Sequence, residues 1–168
     1  MRWRAFPLNP DTPEEGIALA DLLAQKGILA TVDNMNDQLQ AAADSVGLPM
    51  GRREHSYNSR KAQELGLWAE TKGQGHAFHD AAFRAYFVDG LNLASKGVLL
   101  DLARSVGLDP HDAETVLDNR NFKAAVDADW QAARDQNIPA APTFIMGSDR
   151  LVGARPYEAL EKLVQKHL

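Results

Sequence analysis

Apolar residues recur at the spacing of an α-helix through most of this chain. The first such stretch ends before Gly27 and follows the phrase Thr12-Pro13-Glu14-Glu15. This phrase predicts a helix start, with Thr12 as the N-cap, Pro13 at the first helical position and Glu15 closing a capping box. A second helix is predicted from about Val32 to Val46, because a glycine follows directly and favours a helix stop.

The centre of the chain is predicted to be almost entirely helical. One helix is expected to begin after Asn58, capped by Ser59, and another follows the break at Gly73–Gly75. Three further helices are predicted at about 96–106, 111–119 and 122–136, the middle one capped by Asp109. The aromatic side chains of the block are expected in its core, with an apolar ligand pocket as the alternative: Trp68, Phe78, Phe83, Tyr86 and Phe87.

Extended structure is predicted only near the two ends of the chain. Residues 1–6 alternate as a short strand, and Thr143–Met146 with Arg150–Val152 predict a hairpin around Gly147-Ser148-Asp149. The segment from Pro156 to His167 is predicted as a closing helix, and its apolar residues are expected to face inward: Leu160, Leu163 and Val164. The predicted class is therefore α/β and predominantly α.

Composition narrows the chemistry more than the fold. The 168 residues include no cysteine, so their side chains form neither a disulfide nor a thiolate, and they offer no cysteine ligand to zinc. The content is 45% apolar and 24% charged, which is ordinary for a globular domain, and no apolar run suits a signal peptide or a membrane span. We expect a cytoplasmic protein that does not enter the membrane.

Charge argues against nucleic acid as a partner. The formal net charge is −5, which opposes binding to phosphate backbones. The basic clusters are small: Arg2 with Arg4, and Arg52-Arg53 followed directly by Glu54.

Other candidate chemistry is weak, and we assign neither a catalytic residue nor a metal ligand. His76 and His79 are three residues apart and could face a metal with Asp80 or Glu70, but solvated or capping histidines are the expected interpretation. Ser56 and Ser59 lack the surroundings of a nucleophilic serine. A last acidic group is interpreted as a solvated helix face without basic partners: Asp127, Asp129 and Asp135.

The order of elements and several phrases together resemble the DsbA-like thioredoxin-fold oxidoreductases of the FrnE type. The phrases lie along nearly the whole chain: Trp3-Arg4-Ala5-Phe6-Pro7-Leu8-Asn9-Pro10, Pro13-Glu14-Glu15-Gly16, Ala82-Phe83-Arg84-Ala85-Tyr86-Phe87, Ala141-Pro142-Thr143-Phe144 and Val152-Gly153-Ala154. The resemblance implies an incomplete thioredoxin-like domain at 1–10 and 138–168, and a large all-helical insertion domain at 11–137.

The resemblance also implies where a substrate would bind. The family places a cis-proline beside its redox cysteines, and Pro142 is its counterpart, so Ala141, Pro142 and Thr143 are the expected substrate loop. The family's Cys-Pro-x-Cys motif lies on a strand and helix ahead of the segment that resembles residues 1–10. Its cysteines therefore match no residue here.

The missing strand would lie between the strands equivalent to residues 1–6 and 143–146. Its absence would leave backbone groups unpaired, which is costly when they are buried. Three repairs are open: the flanking strands pair directly, a second copy covers the edge, or the native protein has the segment. We favour a homodimer.

Three functions follow from the resemblance. The first is a redox-inactive member that still binds an extended peptide or a small thiol ligand at the cis-proline loop. The second is an enzyme of the glutathione-using branch, such as a kappa-class transferase or a 2-hydroxychromene-2-carboxylate isomerase, for which glutathione would be the cofactor. The third is an inactive fragment of a disulfide oxidoreductase. No cofactor is expected under the first.

Overall fold

The computed structural model describes residues 2–168, which form eight helices and four short strands. The helices are α1 Leu19–Gln25, α2 Val32–Asp44, α3 Arg60–Thr71, α4 Gly75–Phe87, α5 Lys96–Ser105, α6 Pro110–Asp118, α7 Lys123–Asp135 and α8 Tyr157–Gln165. The strands are β1 Ile17–Ala18, β2 His55–Ser56, β3 Thr143–Met146 and β4 Asp149–Val152. None of these helices is both long enough and apolar enough to cross a membrane.

The chain divides into two compact units. The first, here called the hairpin unit, combines the described part of Met1–Leu8 with Asp127–Leu168. The second, the helical unit, is Asn9–Val126. The helix α7 begins in the helical unit and ends in the hairpin unit.

The helical unit is built around one apolar core shared by α3, α4, α5 and α6. Burying a single leucine or phenylalanine side chain contributes about 1.5–3 kcal/mol. Small residues let the helix backbones approach, and both small and large ones are among the most deeply buried apolar residues of the unit: Leu65, Ala69, Phe78, Leu99, Ala103, Ala113 and Val126. The aromatic residues Trp68 and Phe78 belong to this core, as predicted, but Phe83 is 46% exposed, so its predicted place in the core is wrong.

Helix starts in this unit are explained by local side chains. The Asp109 carboxylate accepts hydrogen bonds from the backbone N–H groups of His111 and Asp112, at 2.7 and 3.4 Å, which confirms the predicted cap. Ser59 occupies the N-cap position of α3, as predicted, but its side chain makes no capping bond, and the carboxamide oxygen of Asn58 accepts from Arg60 N at 2.9 Å. The Ser59 hydroxyl instead accepts from Gln63.

The predicted start of α1 is also wrong. The helix begins at Leu19 rather than near Pro13, because Gly16 has a φ of +93° and the next two residues pair with β2. A Cβ at Gly16 would lie 2.5 Å from Tyr57 Cδ1, so only glycine fits this turn. The pairing of β1 with β2, which are far apart in the sequence, therefore sets the start of α1, and the local capping signals do not.

Residues 2–6 do not form the predicted strand, since no strand among residues 2–168 pairs with them. They are held instead by Asp129 on α7, which accepts from Ala5 N at 3.0 Å and from Arg4 Nη1 at 2.5 Å. The interpretation of Asp129 as a solvated residue without a basic partner is therefore wrong. Its side chain is only 4% exposed.

The closing helix of the hairpin unit is less buried than predicted. Leu160 and Leu163 are half-buried, but Val164 is 44% exposed, and α8 contains no fully buried residue.

A candidate binding edge on the hairpin

The proline loop predicted as a substrate site precedes β3 and is held by hydrogen bonds at both ends. The Ala141–Pro142 peptide bond is cis. The Thr143 hydroxyl donates to Ala140 O at 2.6 Å, and Gly153 N donates to Pro142 O at 2.8 Å. Ala141 and Pro142 are exposed, and Thr143 is half-buried. The loop thus lies at the surface with hydrogen bonds at both of its ends.

The register of the hairpin decides which backbone groups point outward. Met146 and Asp149 pair across the two-residue turn, and Thr143 pairs with Val152 at the other end. Hydrogen-bonded and non-bonded pairs alternate in an antiparallel ladder. The hydrogen bond from Gly153 N to Pro142 O fixes the phase of this alternation. The backbone N–H and C=O groups of Phe144 and Met146 therefore point toward β4.

The backbone N–H and C=O groups of Thr143 and Ile145 therefore point away from β4. We call these groups the outer edge of β3. Within residues 2–168, β4 is the one strand that pairs with β3, so no strand covers this edge. An edge of this kind is a template for pairing with another extended chain.

The strand behind this edge is clamped by Arg150. Its guanidinium donates to the carbonyl oxygens of Gln136 and Asn137, at 2.7 and 3.2 Å, just beyond the end of α7. Asn137 has a φ of +50°, and its N–H bonds back to Arg134 O, so the chain leaves α7 in a left-handed turn. Arg150 thereby joins β4 to the segment that leads into the proline loop.

The turn of the hairpin is anchored to the C-terminus. Asp149 binds Lys166 Nζ at 2.9 Å and His167 Nε2 at 2.6 Å. Hydrogen bonds from Lys166 and then His167 hold the pKa of the Asp149 carboxyl below its usual range. A Cβ at Gly147 would lie 2.6 Å from His167 Cε1. The His167 imidazole therefore leaves room only for glycine at this position of the turn.

The proline loop itself contains no ionisable side chain, nucleophile or metal ligand. Ala141, Pro142 and Thr143 offer backbone groups, a methyl, a pyrrolidine ring and one hydroxyl that is already bonded. The chemistry available there is shape and hydrogen bonding.

The structure does not bring the other sequence candidates into a site. His79 Nε2 lies 3.5 Å from Glu70 Oε1, whereas His76 is exposed. No group of three metal-ligating side chains occurs among residues 2–168. Ser56 is buried in β2, and its hydroxyl has no catalytic neighbour in the described contacts.

The fold and the proline loop can now be compared with known proteins. The model of the DSBA-like thioredoxin domain matches residues 1–165. The chain belongs to the DSBA-like thioredoxin domain family. The resemblance to the DsbA-like thioredoxin-fold family is confirmed, and so is an α/β, predominantly helical thioredoxin-like fold.

Individual relatives agree with this assignment. The chain is 30% identical over 168 residues to the uncharacterized protein YwbO of Bacillus subtilis, covering 98% of this chain and 80% of the relative. It matches the crystal structure of a probable DsbA oxidoreductase from Streptomyces coelicolor with a TM-score of 0.86 and 24% identity, over 96% of this chain and 73% of the other. The structure of a 2-hydroxychromene-2-carboxylate isomerase matches with a TM-score of 0.71 and 20% identity, over 89% of this chain and 77% of the isomerase chain.

The matched family is one of DsbA-like thiol oxidoreductases, but this chain has no thiol, because none of its 168 residues is a cysteine. Dithiol exchange by these side chains is therefore excluded on chemical grounds.

Proposed function

We propose that this protein is a FrnE-type member of the family that binds an extended peptide along the outer edge of β3, beside Ala141, Pro142 and Thr143. The observation that supports this proposal is the outward direction of the Thr143 and Ile145 backbone groups, which no strand of residues 2–168 covers. The FrnE type itself is supported by the phrases Trp3–Pro10 and Ala82–Phe87.

The binding mode follows from elementary strand pairing. A peptide that lies along the edge can form hydrogen bonds with two N–H and two C=O groups. These backbone groups do not distinguish between the peptide's side chains. Each such bond contributes about 0.5–1.5 kcal/mol net. Four of them correspond to a Kd on the order of 1 mM, so weak and sequence-tolerant binding is expected.

The edge is also apolar and uncharged at its centre. Ile145 is 44% exposed, and Pro142 lies at the surface before it. We expect peptides with uncharged β-branched residues to bind better than acidic ones, because the protein's net charge of −5 repels acidic chains.

The test uses amide NMR shifts of the full chain titrated with a ten-residue peptide of alternating threonine and valine. Ile145→Pro removes the outward N–H and leaves the bonds to β4 in place, since proline is tolerated at an open edge. Ile145→Ala keeps the N–H and removes the side chain, so it is the matched control. We expect Ile145→Pro to weaken binding more than Ile145→Ala does.

Equal binding by the wild type and Ile145→Pro contradicts backbone pairing at this edge. Equal loss in the two variants shows that the side chain, and not the strand edge, is recognised.

Insulin reduction by this polypeptide is expected not to exceed the buffer control.

We propose in addition that a second copy competes for the same edge, so that the protein forms a homodimer when concentrated. Exposed strand edges favour self-pairing. Analytical ultracentrifugation should then show a concentration-dependent dimer that the peptide dissociates. A monomer at every concentration would contradict this partner.

A cytoplasmic location is part of the same proposal, and the cysteine-free composition supports it.

A glutathione-dependent enzyme is the second candidate, favoured by the similarity to the 2-hydroxychromene-2-carboxylate isomerase. That similarity extends over 89% of this chain at 20% identity, which is a likeness of fold. Retention on glutathione resin with elution by free glutathione would support it. Passage through the resin would set it aside.

A further inference from the structure

The helical unit contains a cavity of about 640 Å³ that the proposed function does not use. It is lined by residues of the segment Arg52–Tyr57, by the first turn of α2 and by Tyr86 near the end of α4. Its volume lies within the range of about 300–1,000 Å³ that small-ligand sites occupy. Its lining is mixed, with two arginines and two carboxylates beside apolar residues such as Ala18 and Val32.

The backbone of Arg53, a residue of this cavity, is held on both sides by one buried side chain. Its N–H donates to Asn36 Oδ1 at 3.3 Å, and its carbonyl accepts from Asn36 Nδ2 at 3.0 Å. Asn36 is buried in α2, so a side-chain amide replaces the strand partner that this segment would otherwise need. The base of the Arg53 side chain is therefore fixed relative to the cavity.

Two aromatic rings hold the Arg53 guanidinium. Its Cζ lies 4.7 Å from the ring centroid of Tyr86 and 4.8 Å from that of Phe87. These two rings contact each other edge to face, with centroids 4.9 Å apart. A guanidinium on aromatic faces keeps its charge and loses rotational freedom before any ligand arrives.

No carboxylate pairs with Arg53 among residues 2–168. Its Nε is buried and has no hydrogen-bond partner. The neighbouring Arg52 behaves differently, because Asp33 and Asp37 each bind it at 2.7 Å. One of two adjacent arginines is thus neutralised by its own chain, and the other is held in place with its charge uncompensated.

We propose that Arg53 binds the carboxylate of a small organic ligand in this cavity. Its planar group of N–H donors matches a carboxylate, and the bond is charge-assisted. The rings of His55 and Tyr57, which are stacked with centroids 6.0 Å apart, line the same cavity and supply aromatic contact for the ligand's body.

The charges around the cavity favour a single negative charge on the ligand. Glu54 and Asp33 also line the cavity, and Asp33 is already bound to Arg52. A doubly charged phosphate would meet more repulsion from these carboxylates than a monocarboxylate would. The assigned ligand class is therefore a monocarboxylate with an apolar or aromatic body.

The test is a titration of the full chain with benzoate, followed by NMR through the backbone amide signals of Glu54 and His55, which line the cavity and are present in every variant, with inorganic phosphate as the second probe. We expect a saturable shift with benzoate at millimolar concentration and a weaker response to phosphate. Arg53→Gln should weaken benzoate binding about tenfold, as expected for losing a hydrogen bond to a charged group. Arg53→Lys should weaken it as well, because lysine lacks the planar donor group.

Arg104→Gln is the matched control, since Arg104 is an exposed arginine of the same unit that pairs with Asp101 and does not line the cavity. It should bind benzoate as the wild type does. The proposal is overturned if the wild type shows no saturable shift, if Arg53→Gln binds as well as Arg104→Gln, or if phosphate binds more tightly than benzoate. The wild-type titration decides even where Arg53→Gln does not fold.

Discussion

The helical unit and the hairpin unit are stabilised in different ways. Four helices of the helical unit surround side chains with no exposed surface, such as Leu65 and Leu99. The hairpin unit has a two-stranded sheet and a helix, α8, without a buried residue, and it depends on polar contacts made by Asp129, Arg150 and Asp149. Regions with little buried apolar contact open at lower free energy. We therefore expect the hairpin unit to exchange its amide hydrogens faster.

The largest effect is expected from the core of the helical unit. Leu65→Ala removes a fully buried side chain and should lower the free energy of unfolding by about 2–5 kcal/mol. Leu29→Ala is the control, because Leu29 is fully exposed, and its effect should stay within about 0.5 kcal/mol. Urea denaturation followed by helix circular dichroism measures both. Similar midpoints for the two variants would contradict the assigned core.

The next effect is expected at Glu64, whose side chain is 1% exposed and binds Arg60 and Arg120. Glu64→Gln leaves two arginines facing a neutral group, which should cost about 3 kcal/mol. Glu114→Gln, at an exposed partner of Lys96, is the control and should change stability little. Equal unfolding midpoints for these two variants would show that the buried ionic cluster does not stabilise the unit.

Acid should reveal the same cluster. Burial alone would raise the pKa of Glu64, but hydrogen bonds from Arg120 and Arg60 outweigh it and hold the pKa below its usual value. The stabilisation is therefore complete above the unfolded pKa of a glutamate and is lost as the pH falls through the lowered folded pKa. Glu64→Gln should show a flatter loss of stability in acid than the wild type. Parallel curves would argue against this source.

A smaller and local effect is expected in the hairpin unit. Asp129→Asn weakens the bonds that hold Arg4 and Ala5, at a cost of about 1–3 kcal/mol for a charged hydrogen-bond partner. Trypsin should cleave after Arg4 faster in this variant. Asp135→Asn, an exposed change on the same helix, is the control. Cleavage at unchanged rates would mean that residues 2–8 are held by other contacts.

The smallest effect is expected at Asp149, where the ion pairs with Lys166 and His167 are exposed to solvent. Its lowered pKa means that the contribution is present above the ordinary carboxyl pKa and is lost as the pH falls through the lowered one. Asp149→Asn should speed amide exchange in β3 and β4 at low salt, and high salt should remove the difference. A salt-independent difference would point to packing instead.

The sequence predicts the helical unit well because its helices follow from local periodicity and capping. The helices α2 to α7 lie close to their predicted ranges, and the cap at Asp109 is confirmed. The misplaced start of α1 has a non-local cause, since Gly16 is held by pairing of β1 with β2 and by the Tyr57 ring. No pattern within fifteen residues of Gly16 contains that partner.

The sites are less predictable than the helices. The proline loop is recognisable from the phrase Ala141-Pro142-Thr143, but the outward direction of the Thr143 and Ile145 groups depends on the hairpin register. Arg53 is visible in the sequence only as part of a basic pair. Asp33 and Asp37 are four residues apart on α2, so both can pair with the same arginine. Only the coordinates show that this arginine is Arg52 and not Arg53.

Residue types and short-range patterns are enough to predict the helical character, the hairpin, the membership in this family and the absence of thiol chemistry in these residues. Three features depend instead on the packed structure: residues 2–6 bind Asp129 and form no strand, α1 starts late, and no carboxylate among residues 2–168 pairs with Arg53. These outcomes depend on which distant groups compete for the same hydrogen bonds, and that competition is settled when the chain packs.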